Sequence, residues 1–90
     1  MKVQGKWFGE EEYGLTDKGV RTILKHIRWY LDDSVDIQLD SEGKVQATEL
    51  CELVCNDAGE ELGTASPCEA DLEAAVSELV YIVCDDRGIW

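Results

Sequence analysis

Four cysteines, one histidine and a surplus of carboxylates are the groups in this chain whose chemistry is worth testing first. Cys51, Cys55, Cys68 and Cys84 are separated by four, thirteen and sixteen positions. A structural zinc site normally shows two close pairs of ligands. Only one loose pair exists, and the single histidine, His26, lies far upstream, so no metal is expected. Each cysteine falls at an apolar position of the patterns described below, which predicts four buried free thiols. His26 sits mid-helix beside Ile27 without a serine or cysteine motif marking a partner, and reads as a surface or boundary residue. Glycine-rich phosphate loops, H-E-x-x-H and G-x-S-x-G are missing from the sequence. Asp40-Ser41-Glu42-Gly43 lacks the spaced oxygens and twelfth-position glutamate of a calcium loop, and reads as a turn. Carboxylates are so numerous that none is singled out as an acid–base pair. The expectation is a non-enzymatic protein without a cofactor.

Charge is the dominant signal. Twenty acidic and eight basic residues give a formal charge of −12 on 90 residues, with an isoelectric point near 4.2. Residues 1–31 carry six Lys/Arg and four Asp/Glu, a net of +2, whereas residues 32–86 carry sixteen Asp/Glu and only Lys44, a net of −15. Direct binding to nucleic acid or an anionic membrane is excluded on this field; a basic partner is favoured. Two acidic pairs, Asp32-Asp33 and Asp85-Asp86, stand at the ends of expected helices, where the macrodipole disfavours negative charge by about 0.3–1 kcal/mol each. Glu10-Glu11-Glu12 adds a third cluster in an expected loop.

The elements that position these groups follow from hydrophobic period. Val20, Ile23, Leu24, Ile27, Tyr30 and Leu31 predict a helix over 17–32 capped by Thr16, with Lys18, Arg21, Lys25 and Arg28 as a basic stripe beside its apolar face. Val35, Ile37 and Leu39 alternate with polar residues as in a half-buried strand. Val45, Ala47, Cys51, Leu53 and Cys55 share one parity, broken only by Glu49, and turn chemistry at 40–44 and again at 56–60 brackets them. A short strand at 61–65 would complete an antiparallel meander. Ser66-Pro67-Cys68-Glu69 reads as a capping box, followed by Leu72, Ala75, Val76, Leu79, Val80 and Val83 at helical spacing up to Gly88. The expected fold is one α+β domain over 1–90: helix, three-stranded antiparallel β-meander, helix (αβββα), with an extra N-terminal strand around 3–8 in which Trp7 and Phe8 cover the core edge. At this length a domain buries only about 60–65% of the surface of its unfolded chain. With no apolar run long enough for a membrane span and no apolar core for a signal peptide, a soluble, cytoplasmic protein is expected.

An alternative parse makes Thr48-Glu49-Leu50-Cys51-Glu52-Leu53-Val54 a short helix and 79–90 a strand and wing. In that parse Val20 to Val54, with its helix, its Asp40-Ser41-Glu42-Gly43 turn, Val45 and Glu49-Leu50, resembles the winged-helix lobe of RNA 2′-phosphotransferases. That resemblance covers about 35 residues and includes no catalytic residue.

In the meander, Asp36, Gln38, Asp40, Gln46, Thr48 and Glu52 share the face turned away from the helices with Leu50 and Val54. An acidic face with an apolar patch suits a basic protein partner, with charge steering the encounter and apolar contact prolonging it. The same apolar patch would serve a homodimer, and a structural or dimerisation module is the alternative function. In size, acidity and element order the chain resembles small acidic phage anti-defence proteins, the DNA-mimicking anti-CRISPR and anti-restriction types. The resemblance implies carboxylates that occupy the nucleic-acid channel of a defence effector. The candidate partner-binding residues are Glu10, Glu11, Glu12, Asp32, Asp33, Asp36, Asp40, Glu42, Leu50, Glu52, Val54, Asp57, Glu60 and Glu61.

Overall fold

A computed structural model of the chain describes residues 2–9, 13–33, 41–42, 46–62 and 70–89. Its elements are a hairpin of β1 (Lys2–Val3) and β2 (Lys6–Trp7), then helices α1 (Asp17–Asp32), α2 (Ala47–Leu62) and α3 (Ala70–Arg87). The expected αβββα architecture is therefore wrong. Where the long central strand was expected, α2 stands, and the only described sheet has two strands, antiparallel, with Lys2 opposite Trp7 and Val3 opposite Lys6. The remaining parts of the expected meander, 35–39 and 63–65, lie outside the described residues.

The reason lies in which apolar residues of 47–62 are covered. Leu50, Val54, Cys55 and Ala58 are buried, an i, i+4, i+5, i+8 spacing that a helix gathers on one face and a strand would split between two. The odd-numbered Cys51 and Leu53 are half-buried on the flanks of that face, which is why a strand-like parity shows through. Turn chemistry at 56–60 is overridden: Asn56, Asp57 and Gly59 lie within the helix, and Gly59 is buried. Tertiary packing here outweighs a mid-helix glycine cost of about 1 kcal/mol. The short-helix parse at 48–54 captures part of α2, but its strand and wing over 79–90 do not form, because α3 runs to Arg87.

Both expected helices form. Thr16, extended at φ −74° and ψ 169°, accepts from the backbone N–H of Gly19 through Oγ1 at 3.2 Å, a regular N-cap. All the apolar residues expected to face the core from α1 are buried, apart from Leu31, which is half-buried. On α3, Leu72, Ala75, Val76, Leu79, Val80 and Val83 are buried as expected. Gly88, at φ +69°, ends the helix. Its N–H donates to Asp85 O and the N–H of Ile89 to Cys84 O, each at 3.1 Å. This pair of bonds is the Schellman pattern, satisfying carbonyls that the last turn leaves open. The expected capping box at 66–69 lies outside the described residues.

Instead of one N-terminal strand there is a hairpin. Gln4 (φ 50°) and Gly5 (φ 84°) both adopt left-handed backbone, as a two-residue type I′ turn requires. Phe8 beyond it is buried in the core at 1% exposure, while Trp7 is 55% exposed, so only one of the two aromatic residues covers the core edge. α2 packs against both α1 and α3. Lys25–Glu61 and Tyr30–Asp57 contacts set α1 and α2 antiparallel, and Arg87–Asp32 brings the C-terminal ends of α1 and α3 together.

Candidate acidic interface and its groove

Carboxylates on α2 divide into two sets according to the face they occupy. Glu49, Glu52 and Glu60 lie with Asn56 on the side opposite Leu50, Val54 and Ala58, and all four are exposed. This ridge extends over about 16 Å at 1.5 Å per residue. No described cation pairs with its three glutamates. The second set, Asp57 and Glu61, faces α1. Glu61 accepts from Lys25 Nζ at 2.9 Å and lies 3.1 Å from His26 Nε2. Asp57 Oδ2 accepts the hydroxyl of Tyr30. His26 is thus a half-buried boundary residue, as expected, with a carboxylate partner that the sequence did not mark, and Lys25 of the basic stripe balances acid from the facing helix.

Of the two acidic helix ends, Asp32 is met by a cation: Arg87 makes a bidentate bridge to it, with Nη1 to Oδ1 at 2.6 Å and Nη2 to Oδ2 at 3.0 Å. The guanidinium holds the Asp32 carboxyl below its ordinary range, and the carboxylate raises Arg87 in turn. Lys25, then His26, hold Glu61 below the ordinary glutamate range. Both depressed carboxyls contribute stability that is present above about pH 4–4.5, their unfolded values, and is lost as the pH falls through the lower folded-state values. An Asp32→Asn/Glu61→Gln variant is expected to unfold at lower urea than the wild type at pH 7, with the two midpoints converging once the pH has fallen below the depressed carboxyls. A gap that persists undiminished in acid would show that ionisation of these groups is not what stabilises the fold.

The candidate residues are not brought into one surface. Leu50 and Val54 are each 0% exposed; the exposed apolar patch expected of them, and the homodimer built on it, fall with the meander. Glu52 and Glu60 share the outer ridge, Asp57 and Glu61 face α1, Asp32 and Asp33 end α1, and Glu42 lies exposed in the turn at 41–42. Glu10, Glu11, Glu12, Asp36 and Asp40 lie outside the described residues. Glu49 was missed because it interrupts strand parity; read at helical spacing it joins Glu52, Asn56 and Glu60. Trp29, 47% exposed and edge-on to Tyr30 at 5.0 Å between centroids, was missed too.

The cysteines also differ from expectation. Cys55 is disulfide-bonded rather than a free thiol, while Cys51 and Cys84 are free. Burial pushes both free thiols up, which keeps them protonated and poorly nucleophilic at neutral pH. Cys68 lies outside the described residues. No group of metal-holding side chains occurs among the described residues, nor any described helix long and apolar enough to cross a membrane. No family model, curated protein or solved structure matches the chain.

Proposed function

We propose that this chain is a non-enzymatic binding protein whose acidic surface occupies the basic, nucleic-acid-binding surface of a protein partner, in the manner of the small anti-defence inhibitors it resembles in size and acidity. The observation that carries the proposal is the outer ridge of α2, where Glu49, Glu52 and Glu60 stay exposed with no described cation. Charge of this kind accelerates encounter with a basic surface and rejects anionic competitors. Three carboxylates over about 16 Å are sparser than the phosphates of one DNA strand, spaced about 3.4 Å along the axis. The ridge therefore engages separate Lys and Arg side chains rather than copying a phosphate backbone residue for residue. A cytoplasmic setting, where thiols are kept reduced, requires the fold to persist with Cys55 reduced.

The test is affinity capture from a bacterial lysate at moderate salt, beside an acidic protein of matched charge. One basic nucleic-acid-binding protein should be enriched over the control, and should be released both by added duplex DNA and by raised salt. Recovery of this chain alone, or of the same proteins as the control, would reject the proposal.

A further inference from the structure

Between α1 and α2 lies an open groove of about 310 Å³ lined by Lys25, His26, Trp29 and Asp57. Its shape and its charge point to the same kind of guest. The indole of Trp29 is 47% exposed and its edge-on contact with the buried Tyr30 ring fixes its position. The Tyr30 hydroxyl in turn fixes Asp57 through Oδ2, and no described residue bonds Oδ1. Lys25 and His26, the basic groups beside the groove, are both held by Glu61. An aromatic face and an oriented carboxylate, one oxygen of which has no partner among the described residues, therefore border one apolar recess.

We propose that this groove receives an arginine side chain of the basic partner, its guanidinium lying over the Trp29 indole and donating to Asp57. The inference rests on the binding role given above and adds the residue type recognised and the place where it is held. Arginine suits the groove better than lysine. A planar guanidinium is weakly hydrated, spreads over an indole face and presents several donors to a carboxylate, whereas an ammonium is a compact, strongly hydrated point charge. Tyr30 is a positioning residue here, since it braces both Trp29 and Asp57 from beneath.

The probes are capped hexa-arginine and hexalysine peptides, titrated into the full chain at low salt. Affinity is read by calorimetry, and the site by the indole N–H resonances of a ¹⁵N-labelled sample. Hexa-arginine is expected to bind more tightly than hexalysine and to shift the Trp29 indole signal well beyond that of Trp7. Trp29→Ala should weaken hexa-arginine binding about tenfold and erase the preference over hexalysine, Trp29→Phe should restore part of both, and Asp57→Asn should weaken the arginine peptide more than the lysine peptide. Equal affinity of Trp29→Ala and wild type for hexa-arginine, with Glu49→Gln/Glu52→Gln/Glu60→Gln clearly weaker, would overturn the groove and leave the acidic ridge standing. Failure of the wild-type chain to bind either peptide at low salt would reject the binding role along with the groove.

Discussion

Leu50→Asp is expected to abolish the folded state, whereas Thr48→Asp is expected to leave it nearly unchanged. In a strand these two positions share a face and would respond alike. In α2, Leu50 is fully buried between α1 and α3 and Thr48 faces water. Removing the leucine side chain alone costs about 2–5 kcal/mol. Placing an unpaired carboxylate in that site adds several kcal/mol more, or forces it to take up a proton. Small domains have about 5–15 kcal/mol of total stability, and one of 90 residues belongs toward the lower end. The substitution therefore consumes most or all of it. Far-UV circular dichroism and the urea midpoint give the answer directly. Leu50→Asp unfolding at the wild-type midpoint would mean that α2 does not bury this face.

Glu49→Lys/Glu52→Lys/Glu60→Lys should do the opposite, leaving folding intact while cutting partner affinity by roughly 10²–10⁴-fold at low salt. Each reversal replaces an attraction by a repulsion, a change of about 1–2 kcal/mol at an exposed contact in dilute salt. The three together span about 3–6 kcal/mol, at 1.4 kcal/mol per decade. Net charge moves from −12 to −6, since three changes of two units each are added to the formal value. Lower self-repulsion should hold the urea midpoint steady or raise it. Affinity for the captured partner, measured at 50 and 200 mM salt, should also show a shallower salt dependence. Unchanged affinity in the reversed protein would remove the α2 ridge from the interface.

Two of the three described helices are legible in the sequence because their apolar residues repeat at three and four positions without a competing period. Val20, Ile23, Leu24 and Ile27 admit no alternation, and Leu72, Ala75, Val76 and Leu79 are equally unambiguous. At 45–55 two periods overlap. Val45, Ala47, Cys51, Leu53 and Cys55 satisfy a strand, while Leu50, Val54 and Ala58 satisfy a helix, and local turn chemistry at 56–60 tips the reading toward the strand. What decides it is burial against α1 and α3, a long-range effect that no window of local sequence contains. The site suffers from the same blindness. Glu49 looks like a defect in a strand and becomes one end of a ridge in a helix. The contacts of Asp57 with Tyr30 and of Glu61 with Lys25 depend on two antiparallel helices whose paired residues are 27 and 36 positions apart. Acidity itself, by contrast, needed only counting.

The N-terminal hairpin is tied to the body by means that are easily counted. Its strands have two residues each, too few for independent stability in water. Among the described residues its order derives from Val3, packed against the core, from Phe8, buried at 1% exposure and stacked on Tyr13 at 5.2 Å, and from the exposed Lys6–Glu78 pair at 2.6 Å. Such a segment forms its own opening unit, releasing from α1 and α3 well before the helices separate. When it swings away, the small recess of about 110 Å³ beneath it, bordered by Leu24, Ile82 and Val83 beside Arg28 and Arg87, gains an open side. Amide protons of residues 2–7 should accordingly exchange in an earlier class than those in the middle turns of α1 and α3, so that the molecule has two rates of opening within one core.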